Sequence, residues 1–337
     1  MKKVFLLLSG ILIIPFVLNA TVFIVDNNID SPGPYTSLQS AYNTASNGDT
    51  LMIQGSPTSY GNLDMRKSLT IIGAGYHPSI APLSPTELGE LTIQYCSNVK
   101  VIGIKASKIY IKGDTVTIER CYGFIKMENS KQVTLVNNII TKLQMNGSIK
   151  QTNAIKNNII SETKSYYNSV DQLVFDHNIF TGTEHYFKNA DIKNSIFYDV
   201  SPNGYGSTHN TGTDYINCLA YCPSGCVDTF LTTNGNNAAS CLNHTNPGFV
   251  SVSSATFDYN YDYHLSSTSA GHNYATDGTD IGIYGGIDPF PDGGSSGSGF
   301  QTSQEAPIPQ IYDYTIQNKT VSQSDTLHVN VKVQIQR

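Results

Sequence analysis

Basic side chains spaced by about one repeat are the first residues of this chain that could do chemistry. Lys100 and Arg120 are 20 residues apart, and Lys142 follows Arg120 by 22. Cleavage of a uronic-acid polymer by elimination needs a cation to neutralise the substrate carboxylate and a base to take the C5 proton. This spacing would bring the three side chains to one face of a coiled chain. The alternative, which we favour, is that they are solvated charges that limit edge pairing and aggregation.

Pairs of aspartates have a similar spacing and suggest hydrolysis of a glycosidic bond. Asp171 and Asp191 are 20 residues apart, and Asp176 and Asp199 are 23 apart. Inverting glycosidases hold two carboxyl groups about 6.5–9.5 Å apart. Coils stacked at about 4.8 Å would bring such carboxylates too close, and would suit a retaining mechanism only marginally. Adjacent carboxylates in turns also arise by chance, and we favour that interpretation.

The Asp-Gly-Thr-Asp segment at 277–280 offers two carboxylates for a cation. Asp277 and Asp280 could bind calcium together with nearby carbonyl oxygens. Such a phrase is more often a turn in which aspartate caps its own backbone, and we favour the turn. The sequence predicts no cofactor beyond an optional calcium ion.

Aromatic side chains in the segments between predicted strands are candidates for glycan contact. A tyrosine ring stacks on a sugar ring while its hydroxyl bonds to sugar oxygens, and loops on one flank would form a groove. Scattered surface tyrosines are otherwise ordinary, so both interpretations stay open. The set is Tyr166, Tyr167, His185, Tyr186, Tyr205, His209 and Tyr215.

Six cysteines could form disulfide bridges, stay as free thiols or bind a metal ion. Cys218, Cys222, Cys226 and Cys241 suit two disulfide bridges best, free thiols next and a zinc site least, because they lack the usual Cys-x2-Cys pairs. Cys96 and Cys121 are about one coil apart and are expected to be core cysteines stacked in neighbouring turns.

A phrase that returns about every twenty residues must position these groups. It reads Asn-Asn-Ile-Ile at 137–140 and 157–160, His-Asn-Ile-Phe at 177–180 and Asn-Ser-Ile-Phe at 194–197. A fixed period of this size predicts a solenoid. Asparagine tolerates the left-handed conformation of a tight corner, and stacked asparagines can hydrogen-bond along the solenoid. We therefore interpret Asn138, Asn158 and Asn178 as structural, with the following Ile or Phe in the core.

Short strands without room for crossover helices predict an all-β fold, a single-stranded parallel β-helix. A helix over 35–45, capped by Thr36 or Ser37, is expected to cover its open N-terminal end. A small C-terminal β appendage is expected to hold strands over 311–316 and 327–335. The strands expected in the solenoid are 21–25, 50–54, 69–72, 91–94, 99–104, 108–111, 115–119, 132–136, 154–156, 172–175, 190–192 and 214–216.

Composition divides the chain into a signal peptide over 1–20, a β-helix over 21–290, a Gly/Ser-rich linker over 291–306 and a short β tail over 307–337. Residues 246–286 are expected to close the solenoid. The signal peptide predicts export to the extracellular space, the cell surface or the periplasm, without a membrane span in the mature chain. That mature chain has 18 basic and 26 acidic residues, which argues against nucleic acid as a partner.

The segments 36–41, 47–51 and 67–73 resemble the first coil of right-handed parallel β-helix proteins of the pectin-lyase-like group. The repeat phrases resemble the coils of that group, and 277–282 is similar to the last coil of its secreted bacterial members. The proline-led tail resembles uncharacterised exported proteins of Bacteroidetes-type bacteria. This resemblance implies the fold over 21–290 and leaves the activity open, since the group includes polysaccharide lyases, polygalacturonases and non-catalytic surface proteins. The polygalacturonase segments Asn-Thr-Asp, Asp-Asp, Gly-His-Gly and Arg-Ile-Lys are absent from the sequence.

These observations lead to one function hypothesis and two alternatives. The first is an exported, non-catalytic protein that binds a polysaccharide or cell-surface component, or acts as a rigid scaffold. The second is a polysaccharide lyase or glycoside hydrolase that acts on an acidic polysaccharide. The third is adhesion through edge pairing of the tail strands.

Overall fold

The computed structural model describes residues 20–29, 31, 33–78, 84–147, 153–166, 173–204 and 210–290, and the backbone of 309–316 and 329–335. The predicted signal peptide, except Ala20, and the predicted linker lie outside these residues. In the described part of the chain, no helix is both long and apolar enough to cross a membrane.

Two long parallel sheets run along the molecule. Strand β1 and the even-numbered strands β2 to β20 form the first sheet, and the odd-numbered strands β3 to β19 form the second. In chain order the strands are β1 (Val22–Val25), β2 (Thr50–Ile53), β3 (Leu63–Met65), β4 (Thr70–Gly73), β5 (Glu87–Ile93), β6 (Ser97–Ile102), β7 (Lys105–Ile111), β8 (Asp114–Glu119), β9 (Tyr122–Glu128), β10 (Val133–Val136), β11 (Ile139–Asn146), β12 (Ala154–Lys156), β13 (Ile159–Tyr166), β14 (Leu173–Asp176), β15 (Ile179–His185), β16 (Ala190–Lys193), β17 (Ile196–Tyr198), β18 (Asp214–Ile216), β19 (Leu219–Tyr221) and β20 (Asn237–Ala239).

The register makes this a parallel β-helix. Each coil lays one strand on each sheet, and each strand pairs in parallel with the equivalent strand of the next coil, as β11 does with β13 and β10 with β12. The all-β fold and the right-handed solenoid are confirmed. Most predicted strands belong to the first sheet, and most strands of the second sheet were not predicted.

The predicted N-terminal helix is present and shorter than expected. Helix α1 spans Leu38–Thr44, with Ser37 as its N-cap. The apolar side of α1 is buried at the end of the solenoid, against β1 and β2. The Lys67 ammonium donates to the carbonyl oxygens of Tyr42 and Ala45, both at 2.7 Å. A cation thus binds the carbonyl groups that end this short helix.

The first residue of each repeat phrase forms a left-handed corner. Asn137, Asn157, His177 and Asn194 have φ angles of 56°, 51°, 54° and 53°. Arg120 has a φ of 50° and holds the equivalent corner of an earlier coil. Asparagine is the common choice there because its short polar side chain tolerates this conformation better than most.

The second residue of each phrase builds a polar ladder inside the corner. Its members, which we call the corner ladder, are Cys121, Asn138, Asn158, Asn178, Ser195, Cys218 and Cys241. The backbone N–H of Asn138 donates to Asn158 Oδ1 at 2.9 Å, and that of Asn158 donates to Asn178 Oδ1 at 3.0 Å. All three asparagines are fully buried. Their structural interpretation is therefore confirmed.

The two apolar residues that follow in each repeat pack into two different hydrophobic cores. Ile140, Ile160 and Phe180 pack inside the coils, where the main core lies. Ile139 and Ile159, one position earlier, belong to a second cluster with residues of the C-terminal region. The repeat therefore presents a row of isoleucines outward, and this row must be covered.

Residues 246–290, which we call the strap, cover that row. The strap runs along the flank of the solenoid, where Asn157 Nδ2 donates to the carbonyl oxygen of Ile283 at 2.9 Å and Asn217 Nδ2 to that of Tyr274 at 2.7 Å. The prediction that this segment closes the end of the solenoid is therefore wrong. The strap removes the outward isoleucines from water, and this burial of apolar surface is favourable.

Two antiparallel pairs complete the described structure. Strands β21 (Phe249–Ser251) and β22 (Asp262–Leu265) pair within the strap. The two strands predicted in the tail are present as β23 (Pro309–Ile316) and β24 (Val329–Ile335), and they pair with each other as an antiparallel hairpin.

Candidate functional site

The outer face of the second sheet carries lysines and glutamates in alternation along the solenoid. Lys108 Nζ lies 2.6 Å from a Glu90 carboxylate oxygen. Further along, Lys164 Nζ lies 3.1 Å from Glu162 and 2.6 Å from Glu184. Opposite charges on the same strand or on neighbouring strands cancel each other, so this face is polar and close to neutral.

Aromatic rings lie among these charges. The Tyr110 ring has Lys126 Nζ 4.4 Å and Lys112 Nζ 4.5 Å from its centroid. The Tyr186 ring has Lys164 Nζ 5.6 Å from its centroid, and its hydroxyl donates to Glu184. Cation–π contacts and hydrogen bonds fix the orientation of these rings.

A groove runs beside this face, and the strap borders its middle part. It consists of three adjoining cavities of about 270, 330 and 450 Å³. The first two share Tyr122 and Thr141, and the last two share Thr183. The groove therefore extends along the solenoid axis, from the coil of Glu87 to the loop of Val227.

Small and hydroxyl-bearing residues form the floor of the groove. Ser107 and Thr141 are extra residues at register shifts, where β7 and β11 pair with β9. Ser161 stands at a further shift between β13 and β15. A β-bulge leaves one residue unpaired, and such bulges occur often beside binding sites. The bulges give the floor a row of hydroxyl groups.

Aromatic residues form one wall of the groove. The ring of Tyr122 stacks on that of Tyr259 with centroids 6.4 Å apart, and Phe257 lies 6.5 Å from Tyr122. Tyr122 and Phe257 both line the middle cavity. Both are partly exposed, so part of each ring is open to a ligand.

The structure brings together only two of the predicted basic residues. Lys100 Nζ lies 3.0 Å from Glu119, and Arg120 Nε lies 3.5 Å from the same carboxylate. Lys142 belongs to the second sheet, where it pairs with Glu162 at 3.2 Å. The prediction that all three share one face is wrong, because Arg120 occupies a corner and Lys142 lies in a strand beyond it.

Of the two predicted aspartate pairs, Asp176 and Asp199 are not assembled as expected. Asp176 ends β14 in the first sheet, whereas Asp199 follows β17 in the second, so these two lie at different corners of the coil. Asp191 is in register with Val174 of the preceding coil and with Asp214 of the next, and its pairing with Asp171 stays a prediction. Asp171 lies outside the described residues.

The carboxylates proposed for calcium cap the turn that contains them. Asp277 accepts hydrogen bonds from the backbone N–H of Thr279 at 3.1 Å and from its hydroxyl at 2.6 Å. Asp280 Oδ1 accepts from the backbone N–H of Asn273 at 2.8 Å. These contacts fit the favoured turn interpretation, and calcium binding here stays a prediction.

The predicted aromatic set divides between surface and core. Tyr166, at the end of β13, is 42% exposed, and Tyr186 lies on the outer face of the second sheet. Tyr215 and His185 are fully buried, so the prediction that they contact a glycan is wrong. Both point inward because they stand at core positions of the strand alternation. Tyr167, Tyr205 and His209 lie outside the described residues.

Burial of His185 predicts a specific pH dependence of stability. Burial lowers the pKa of His185 to about 4, although a hydrogen bond to the Thr181 carbonyl and the carboxylates of Glu162 and Glu184 act in the opposite direction. In the unfolded chain its pKa is about 6.5. Between these values only the unfolded chain takes up the proton, so the free energy of unfolding falls by about 3 kcal/mol as the pH drops from 6.5 to 4. Denaturant titrations across this range should show the fall.

Two substitutions test the assignment of this pH effect. His185→Gln should show a much shallower fall between pH 6.5 and 4.5, because its side chain does not titrate. His272→Gln, at a side chain that is 41% exposed, should keep the dependence of the unsubstituted protein. Equal slopes in all three proteins would refute the role of His185.

The cysteines follow part of the prediction. Cys222 and Cys226 form a disulfide, which rules out the four-cysteine zinc site, while Cys218 and Cys241 are thiols. Cys96 precedes β6 and Cys121 precedes β9, so they occupy different corners and do not stack. The stacking prediction is wrong because a spacing of about one coil does not determine at which corner of the coil each cysteine lies.

Comparisons with known proteins add similarities of shape. No family model matches the chain, and no curated protein matches it. Among solved structures, the crystal structure of pectate lyase Pel9A is 12% identical with a TM-score of 0.49, over 78% of this chain and 96% of that one. The pectin methylesterase of Aspergillus niger is 12% identical with a TM-score of 0.33, over 70% of this chain and 91% of that one. The assignment of the chain to the parallel β-helix fold rests on its own strand register.

Proposed function

We propose that this chain is an exported glycan-binding protein that holds a polysaccharide lengthwise without cleaving it. The polysaccharide lies in the groove beside the second sheet, where the strap borders the middle part. The predicted signal peptide supports export. The observation that carries the proposal is the continuity of the groove over several coils, with hydroxyl groups on its floor and an aromatic wall of Tyr122 and Phe257 beside part of it.

The residues that line the groove suit the chemistry of a sugar chain. Tyr122 and Phe257 offer apolar faces for stacking on pyranose rings. Ser107, Thr141 and Ser161 can exchange hydrogen bonds with sugar hydroxyls. The elongated shape suits a polymer better than a single small molecule, since each coil repeats the floor.

The charge of the adjoining face favours a neutral or weakly charged glycan. Lysines on the face are held by glutamates: Lys105 by Glu87 at 2.5 Å and Lys142 by Glu162 at 3.2 Å. A polyanion would have to displace these carboxylates before it could pair with the lysines. The proposal therefore departs from the acidic polysaccharide of the enzymatic alternative.

Contacts of Lys164 support binding rather than elimination. The hydrogen bonds that Lys164 donates to Glu184 and Glu162 raise the pKa of Lys164 above its usual range. An ammonium held in its charged form cannot accept the C5 proton of a uronate. Lys100 and Arg120 are already paired with Glu119, away from the groove.

Affinity electrophoresis of the mature protein through a panel of polysaccharide gels tests the proposal. We expect at least one neutral or weakly charged polysaccharide to retard migration. In parallel incubations, with and without calcium, unsaturated-uronate absorbance and new reducing ends should stay at background. Release of either product would establish the enzymatic alternative, and no retardation in any gel would contradict glycan binding.

A further inference from the structure

The corner ladder ends in two cysteines at equivalent positions of adjacent coils. Cys218 Sγ lies 3.4 Å from the carbonyl oxygen of Ile216, two residues back, and Cys241 Sγ lies 3.5 Å from that of Ala239, also two residues back. Ser195 makes the same contact with Lys193 in the preceding coil, at 2.7 Å. The three side chains therefore have the same direction inside the same corner.

The backbones beside the two cysteines are joined as neighbouring parallel strands are. Leu219 and Leu242 form a parallel bridge, and the Leu242 N–H donates to the Cys218 carbonyl at 2.8 Å. The two thiols are hydrogen-bonded to each other. Paired strands lie about 4.8 Å apart, and disulfides join Cα atoms about 4.4–6.8 Å apart.

We propose that Cys218 and Cys241 are a second oxidisable pair, which forms a disulfide on exposure to an external disulfide and staples the last coil to the one before it. This inference concerns the end of the solenoid and does not depend on glycan binding. It adds a bridge to the Cys222–Cys226 disulfide, which spans only a short loop within one coil.

Exposure sets the order of the two chemical steps. Cys241 is partly exposed and Cys218 is buried. The hydrogen bond from Cys218 lowers the pKa of the Cys241 thiol, and burial raises the pKa of the Cys218 thiol. Cys241 is therefore the thiolate that reacts first, and Cys218 resolves the intermediate.

The reaction balances as a thiol–disulfide exchange. The Cys241 thiolate attacks one sulfur of the external disulfide, whose S–S bond breaks, and one thiolate leaves. The Cys218 sulfur then attacks Cys241 Sγ in the mixed disulfide, its proton passes to solvent, and the second thiolate leaves. Two protein thiols lose two electrons, and the external disulfide is reduced to two thiols.

A staple at this position would hold the end of the solenoid. Within the described residues, the last coil stacks on another coil on one side only. It is therefore prone to local opening. Strand β20 is mostly exposed, with Asn237 and Ala239 at its two ends. A covalent bond to the preceding coil would slow this opening.

Peptide mapping without reduction tests the proposal on the mature full-length protein. After incubation with oxidised glutathione, unfolding and alkylation, we expect a linked peptide pair that contains Cys218 and Cys241, while Cys96 and Cys121 are alkylated. Amide hydrogen exchange over 237–245 should slow by about tenfold or more. Alkylation of both Cys218 and Cys241, or capture of Cys241 only by glutathione or by Cys222, would overturn the proposal.

Serine variants provide the controls. Cys218→Ser and Cys241→Ser should fold, because Ser195 already occupies this position of the ladder. Neither variant should show the slower exchange after oxidation, whereas Cys96→Ser should show it in full. Slower exchange that persists in Cys241→Ser would contradict the staple.

Discussion

Replacement of Asn158 by alanine is expected to lower the free energy of unfolding by about 2–4 kcal/mol. Asn158 Oδ1 accepts from the Asn138 backbone N–H at 2.9 Å, and its Nδ2 donates to the Leu135 carbonyl at 3.0 Å and the Lys156 carbonyl at 2.8 Å. Alanine would leave these buried groups without partners, and each such group costs about 1–3 kcal/mol. Equilibrium denaturation in urea measures the loss.

Two variants show whether the loss of stability comes from the corner ladder or from replacing any asparagine. Asn43→Ala removes an exposed asparagine of α1 and should change stability by less than about 0.5 kcal/mol. Asn158→Ser introduces a hydroxyl at this position, as Ser195 provides in the same corner. Its free energy of unfolding should lie between those of Asn158→Ala and Asn43→Ala. If Asn158→Ala is as stable as Asn43→Ala, the corner ladder does not hold the coils together.

Replacement of Tyr122 by alanine is expected to weaken glycan binding by about tenfold or more. Tyr122 lines two of the three cavities and forms the aromatic wall with Phe257. Loss of one stacked ring removes apolar contact worth about 1.5–2 kcal/mol, which corresponds to this change in affinity. Isothermal titration with an oligosaccharide of the retarding polysaccharide gives the two dissociation constants.

Two matched variants test whether the glycan stacks on the Tyr122 ring, or whether the loss of any exposed tyrosine weakens binding. Tyr122→Phe keeps the ring and should bind within about threefold of the unsubstituted protein. Tyr95→Ala removes an 82% exposed ring outside the groove and should bind normally. Melting curves check that Tyr122→Ala stays folded, because Tyr122 also packs near Tyr76, at 6.2 Å. Equal affinity for Tyr122→Ala and Tyr95→Ala would place the glycan elsewhere.

The repeat phrase predicted the solenoid but only half of its strands. First-sheet strands such as Val133–Val136 and Asp214–Ile216 were expected almost as they are, since each alternates between buried and partly exposed residues and ends at a corner. The later second-sheet strands, from β11 to β19, begin with two buried residues in succession, as Ile139 and Ile140 show. One faces the strap and the other the core, so the alternation that signals a strand is lost.

The groove could not be predicted from the spacing of residues. Tyr122 and Phe257 are distant in sequence, and they meet because the strap returns along the flank. The strap returns because isoleucines of the repeat, such as Ile159 and Ile179, form an outward apolar row, which a period of twenty residues does not reveal. The pairing of Arg120 with Glu119 likewise depends on a left-handed corner whose orientation spacing does not give.

Hydrogen exchange of the protein with and without its bound polysaccharide tests the central claim most directly. If the polysaccharide lies lengthwise in the groove, protection should appear together in segments around Ser107, Tyr122, Thr141, Ser161 and Phe257, with the polysaccharide recovered uncleaved. Protection confined to the first sheet or to the tail hairpin, or recovery of shortened chains, would contradict the account.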